Sequence, residues 1–167
     1  MSGLGAAEDG ADAGPALPAG APSRPPSSVL FVCGMNSVRS PMGAAIMRRL
    51  HPRGLYVASA GVRKGEVDPF AVAVMEEDGI DISRHRAQTI EDLEDSNFDV
   101  VITLAPEAHH AALELTRTMA VSVEYWPTAD PTLTTGPREQ ILDAYRAVRD
   151  QLTERIKTRF GWMPTGS

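Results

Sequence analysis

Cysteine is almost absent, for Cys33 is the only one in 167 residues. A lone thiol rules out an internal disulfide and suits a reducing compartment. An excess of basic charge is missing too. Sixteen Lys and Arg stand against 22 Asp and Glu, a formal net charge of −6, which argues against nucleic acid as a partner. No apolar run is long enough to span a bilayer, and the N-terminus has neither the basic start nor the apolar stretch of a secretory signal. A cytoplasmic protein without a membrane partner is expected. The histidines have no metal-site spacing: His109 and His110 are adjacent and face different ways on a helix, and His51 lies near a helix end. Neither a metal nor an organic cofactor is implied, and no segment repeats.

What is present has the composition of one ordinary domain, 43% hydrophobic and 23% charged. Residues 1–27 differ from the rest, being dominated by Ala, Gly and Pro with almost no large apolar side chain. Such a stretch cannot bury enough surface to offset its ordering entropy, so it reads as a disordered tail. A single domain is expected over residues 28–162, with a flexible C-terminus at 163–167 and a monomeric state. Within the domain, strand patterns at Val29–Val32, Leu55–Ser59, Val100–Thr103 and Val121–Glu124 alternate with helical patterns at Ser40–Leu50, Pro69–Asp78, Pro106–Leu115 and Arg138–Phe160. The last helix is the clearest, with Ile141, Tyr145, Val148, Leu152, Ile156 and Phe160 on one stripe. This alternation predicts an α/β fold, a four-stranded parallel sheet with helices on both faces. Ligands of such sheets bind at the carboxyl edge, where strand order reverses.

Cys33 falls on that edge. It ends the apolar run Val29-Leu30-Phe31-Val32 and opens the segment Gly34-Met35-Asn36-Ser37-Val38-Arg39-Ser40, which runs into the first helix. The backbone N–H groups of Gly34 to Ser40 can converge on one anion, and the helix points its positive end at the same place. Arg39 adds a guanidinium fork that holds two oxygens of a phosphate or arsenate at once. An ordinary thiol is only about 3% thiolate at neutral pH, and the thiolate is the nucleophile. Amides, helix terminus and Arg39 together favour the anion, and the same donors stabilise a phosphoryl group under attack by sulfur. Taken alone, Cys33 could instead be a small buried hydrophobe at a strand end. The strand before it, the Arg, the Ser-Pro and the helix after it favour the phosphate loop.

Two Asp-Pro pairs compete for the role of general acid. Asp68-Pro69 precedes a clean helical run and reads as a helix cap with Pro in the first turn. Asp130-Pro131 lies in the turn-rich loop Trp126-Pro127-Thr128-Ala129-Asp130-Pro131-Thr132, after the last strand and on the edge of Cys33. Asp130 is therefore the candidate to protonate a leaving oxygen and then to take a proton from attacking water. The basic run Arg63-Lys64 is either a solvated loop or a contribution to steering anions.

Val29 to Met42 resembles the active-site loop of the low-molecular-weight protein tyrosine phosphatase family, whose superfamily includes thiol-dependent arsenate reductases. The likeness extends through Ser59-Ala60-Gly61, Gly79-Ile80 with His85 and Ala87, Phe98–Ile102 and Asp130-Pro131, from Ser28 to about Phe160. It implies phosphate monoester hydrolysis through a phosphocysteine, on a phosphorylated protein or a small aryl phosphate. It also implies a hydrogen-bonded network under the loop, in which Asn36, Ser40, Ser59 and His85 hold Asn36 in an unusual backbone conformation and turn the Ser40 hydroxyl toward sulfur. By themselves Ser59 reads as a strand-end residue and His85 as a surface one, while Asn does tolerate a left-handed backbone.

The sequence departs from the resembled family in informative places. Tyrosine-directed members usually carry aromatic residues after the Asp-Pro, where this chain has Thr132-Leu133-Thr134-Thr135-Gly136; Met35 and Trp126 remain as candidate apolar walls. Val38 stands where many relatives have a second cysteine, and Ala44 near a usual Glu. The thioredoxin-coupled reductases relay a disulfide through further cysteines, and Ala105 occupies the place of one of them. Arsenate reduction would thus need a small external thiol such as glutathione or mycothiol. A binder of phosphate or phosphoprotein without catalysis is the third reading, and it has no use for a thiolate or an acid.

Overall fold

A computed structural model describes residues 26–94 and 97–162. The elements are β1 (Ser28–Cys33), α1 (Arg39–Leu50), β2 (Tyr56–Gly61), α2 (Pro69–Glu77), β3 (Val100–Thr103), α3 (Pro106–Leu113), β4 (Ser122–Tyr125) and α4 (Arg138–Phe160). The four strands form one sheet in the order β2-β1-β3-β4, with every pair parallel, as the alternation of patterns predicts. β4 lies one residue beyond its expected place. β2 continues past Ser59 to Gly61, which bridges to Thr89. Apart from Pro26 and Ser27, the expected tail lies outside the described residues, as do residues 163–167. Ser27 donates from both its N–H and its hydroxyl to Asp99 Oδ2, and its carbonyl accepts from Tyr56 N–H.

β1 is a central strand, and its side chains from Val29 to Cys33 are buried, which is why it reads as an unbroken apolar run rather than an alternating one. Val29, Phe31 and Cys33 face the core formed with α1, α2 and α4, while Leu30 and Val32 face the core formed with α3. Small residues let α1 lie close to the sheet. A Cβ on Gly43 would come within 2.8 Å of the Phe31 ring, so alanine there would force the helix away from β1. The chain turns from β1 to β2 on one side and later places β3 on the other. Strand order therefore reverses beside β1, and Cys33 ends that strand at the switch point. Among the described residues, no helix is long and apolar enough to cross a membrane.

An ionic cluster ties α2 to α4. Glu77 accepts two hydrogen bonds from Arg146 Nε at 3.1 Å, one from Arg146 Nη2 at 2.8 Å and one from Arg149 Nη1 at 2.8 Å. These bonds, Arg146 first and Arg149 second, lower the Glu77 pKa from 4.5 to about 2. A depressed carboxylate stabilises the fold fully above its ordinary pKa and loses that contribution as pH falls through the folded value. Thermal melts between pH 7 and pH 2 should therefore show a Tm loss below pH 4.5 that is shallower in Glu77→Gln, while at pH 7 the variant melts lower. Parallel curves would remove Glu77 from the acid response.

Candidate active site

The segment after Cys33 is held from outside by its neighbours. Val62 N–H donates to Cys33 O at 3.1 Å, Arg63 N–H to Gly34 O at 2.8 Å, Gly65 N–H to Met35 O at 2.9 Å and Asp68 N–H to Ser37 O at 3.0 Å. His85 Nε2 takes Asn36 O at 2.9 Å, and Met42 N–H takes Val38 O at 3.1 Å. Each carbonyl from 33 to 38 is thus engaged by a donor. The N–H groups of 34 to 39 meet no protein acceptor among the described residues, although Gly34, Asn36 and Val38 are buried. A loop whose carbonyls are engaged on the outside while its amides are unengaged can cradle an anion. The start of α1 adds to it, since Val38 makes no side-chain cap bond and leaves the first-turn amides open. The Val38 side chain itself belongs to the core.

Gly61 lets the 62–68 strap come this close, because a Cβ there would collide with Arg63 O, Asn36 N and Met35 C. Asn36 is the one non-glycine residue with positive φ among the described residues, at 55°, and its side chain explains how it stays there. Nδ2 donates to Ser40 Oγ at 2.8 Å and to Ser59 Oγ at 3.0 Å; Oδ1 accepts from Gln88 N–H at 2.9 Å. His85 Nε2 lies 2.9 Å from Asn36 O and 3.1 Å from Asn36 Oδ1. Both are acceptors, so the imidazole carries its proton on Nε2. Burial lowers the His85 pKa, the hydrogen bond to Asn36 opposes this, and the nearby Arg48 charge lowers it further. Ser40 Oγ, accepting from Asn36, has one hydrogen to give, and Cys33 Sγ lies 2.9 Å away with Ala60 O at 3.3 Å. Ser40 N–H also points at the sulfur, at 3.4 Å.

Arg39 meets Asp130 at the cradle. Its Nη1 donates to Thr128 O at 3.0 Å, and its Nη2 lies 3.9 Å from Asp130 Oδ2. The loop carrying Asp130 is fixed to the sheet edge by Trp126 N–H on Thr103 O and Thr128 N–H on Leu104 O. Cys33, Ser40, Asn36, Ser59 and His85 are therefore joined by contacts at one end of β1, and Arg39, next to Ser40 in the chain, reaches Asp130.

The model for low molecular weight phosphotyrosine protein phosphatases matches residues 28–160. The chain belongs to that family. It is 36% identical over 129 residues to a glutaredoxin arsenate reductase of Synechocystis, an alignment covering 77% of this chain and 92% of the relative. Among solved structures, an arsenate reductase in the phosphate binding state superposes with a TM-score of 0.62 at 33% identity, covering 78% of this chain and 94% of the other. A low molecular weight protein tyrosine phosphatase from T. tengcongensis gives 0.64 at 27%, covering 78% and 95%.

Within this family fold the other Asp-Pro pair, Asp68-Pro69, has a different place. Asp68 Oδ1 caps α2, accepting from Phe70 N–H at 2.7 Å and Ala71 N–H at 3.3 Å. Its Oδ2 accepts from Tyr145 Oη at 2.9 Å. Burial first, then that hydrogen bond and the charges of Asp68 and Asp130, raise the Tyr145 pKa. Trp126 corrects an expectation. It is only 3% exposed, lying edge-on to Phe31 and under Arg155, with Phe160 alongside, so it packs the core under α4 and cannot wall a substrate. Met35 is 41% exposed, and Leu133, in the Asp130 loop, is 78% exposed. Arg63 and Lys64 are paired with Glu107 and Asp92, which leaves little net charge for steering. Among the described residues no three His, Cys, Asp or Glu side chains gather as a metal site.

Gln88 and the strap are the participants that residue types did not announce. Gln88 holds Asn36 through its N–H and Ser59 O through its side chain, and its only sequence signal is closeness to His85.

Proposed function

We infer that this chain hydrolyses phosphate monoesters through a phosphocysteine on Cys33. The observation that carries the reading is the run of open amides that follows the one thiol, with Arg39 in that run reaching Asp130 in the loop after β4. In this reading the amides of Gly34, Met35, Asn36, Ser37, Val38 and Arg39, with the Arg39 guanidinium, bind the phosphoryl oxygens and stabilise the transition state, while the Ser40 amide stays on the sulfur. Sulfur attacks phosphorus as the ester P–O bond breaks, and Asp130 gives its proton to the leaving oxygen. Water then attacks phosphorus, Asp130 takes the water's proton, and the S–P bond breaks. Ser40 stabilises sulfur, while Asn36, Ser59 and His85 keep the ring in shape. The exposed Met35 and Leu133 side chains favour an aryl or other apolar leaving group, on a small molecule or a phosphorylated protein.

A second reading, arsenate reduction, is favoured by the names of the relatives. It requires two electrons, and one sulfur cannot form the resulting disulfide alone. A small thiol would attack Cys33 Sγ of the arsenic adduct and release arsenite, and a second would free Cys33 from the mixed disulfide. The two readings separate in one comparison. Hydrolysis of 4-nitrophenyl phosphate should proceed with no thiol beyond what keeps Cys33 reduced, and arsenate turnover with thioredoxin alone should be absent. Robust arsenate reduction with negligible phosphatase activity would reverse the order.

A further inference from the structure

The carboxyl group of Asp130 is held unequally. Thr132 donates twice to one of its oxygens, from N–H at 3.0 Å and from the hydroxyl at 2.6 Å, both to Oδ1. The other oxygen, Oδ2, is the one that faces Arg39, at 3.9 Å. A backbone N–H can only donate, and with a hydroxyl donating beside it both lone pairs of Oδ1 are taken. A proton on the carboxyl group then belongs on Oδ2, toward the phosphate cradle. Pro131 stands between the two residues, buried and with φ fixed by its ring, so the turn is held in this form.

We propose that Thr132 is a positioning residue for proton transfer, its hydroxyl and amide occupying Asp130 Oδ1 so that Oδ2 alone carries the proton that moves. The proposal rests on the acid–base role given to Asp130 above. As sulfur bonds to phosphorus and the ester P–O bond breaks, the leaving oxygen takes the proton from Oδ2. The two hydrogen bonds on Oδ1 strengthen as the carboxylate forms, because bonds to a charged acceptor are stronger than neutral ones. In the second step Oδ2 takes a proton from water as the water oxygen bonds to phosphorus and the S–P bond breaks. Tyrosine-directed members of the family usually carry aromatic residues after the Asp-Pro, and such a side chain has no hydroxyl on Cβ to reach Oδ1. The side-chain half of the arrangement therefore depends on the Thr132 hydroxyl.

The test compares phenyl phosphate, a poor leaving group, with 4-nitrophenyl phosphate, a good one, in Thr132→Val, Thr132→Ser, Asp130→Asn and the Thr132→Val, Asp130→Asn double variant. Thr132→Val should lower kcat about three- to tenfold for phenyl phosphate and less than about twofold for 4-nitrophenyl phosphate, the scale of one ordinary hydrogen bond. KM and inhibition by inorganic phosphate should not change, and Thr132→Ser should restore kcat. In the double variant the valine should cost nothing further. Equal losses for both substrates would make Thr132 a structural residue only and overturn the proposal. No loss in Thr132→Val while Asp130→Asn loses phenyl phosphate activity would overturn it and leave the acid standing. Full phenyl phosphate activity in Asp130→Asn would remove the acid and the proposal together.

Discussion

Replacing Cys33 by serine is expected to lower turnover of aryl phosphates by at least about 10⁴-fold, the scale seen when a nucleophile is removed, and to leave inorganic phosphate or vanadate bound within about threefold. The two halves of the result come from different atoms. Turnover needs a sulfur anion, and a serine hydroxyl stays protonated in the same surroundings. Binding needs the amides of 34 to 39 and the Arg39 guanidinium, and the loop carrying them is held by the strap, His85 and α1 rather than by the Cys33 side chain. Isothermal titration with phosphate beside a kinetic assay on 4-nitrophenyl phosphate measures both. Turnover surviving in Cys33→Ser would refute the covalent step, and lost phosphate binding would mean that sulfur organises the cradle.

Asp130→Asn is expected to cost on the order of 10²–10⁴-fold with phenyl phosphate, the usual range for general acid catalysis. The loss should shrink with 4-nitrophenyl phosphate, whose phenolate leaves with little protonation. Asp68→Asn supplies the contrast. Its carboxylate is occupied by the α2 cap and by the Tyr145 hydroxyl; asparagine caps as well as aspartate, so the change should lower Tm through the weakened Tyr145 hydrogen bond alone, at a cost of about 1 kcal/mol, and treat the two substrates alike. A larger leaving-group dependence in Asp68→Asn than in Asp130→Asn would exchange the two assignments.

The separation of the two aspartates was legible because Asp-Pro before a periodic apolar run and Asp-Pro inside a turn-rich loop obey different local rules. The strands were legible for a similar reason: β1 and β3 are buried runs of Val, Ile, Leu and Phe bounded by polar residues. What the sequence did not disclose depends on long-range approach. Trp126 follows β4 in a loop of prolines and threonines, and only the docking of α4, with Arg155 and Phe160, puts it in the core. Tyr145 reads as one member of an apolar stripe, and its hydroxyl finds Asp68 across 77 positions of chain. Ser59 and His85 gain their meaning from Asn36, which lies 23 and 49 positions away. The strap was the least visible of all, since a backbone amide leaves no mark on the residue that carries it.

That last point bears on how such a protein can change over time. Val62, Arg63 and Gly65 support the cradle through main-chain N–H groups, which every amino acid except proline provides. Their side chains are free of that duty: Arg63 reaches outward to Glu107, and a Cβ on Gly65 would lie 3.3 Å from the Met35 side chain at the rim. Substitutions along this stretch can redraw the surface that an incoming molecule meets while the ring of amides behind it stays as it was. Mutational drift is thereby channelled toward molecular preference and away from the bond-breaking step, with Gly61 as the fixed post between the two.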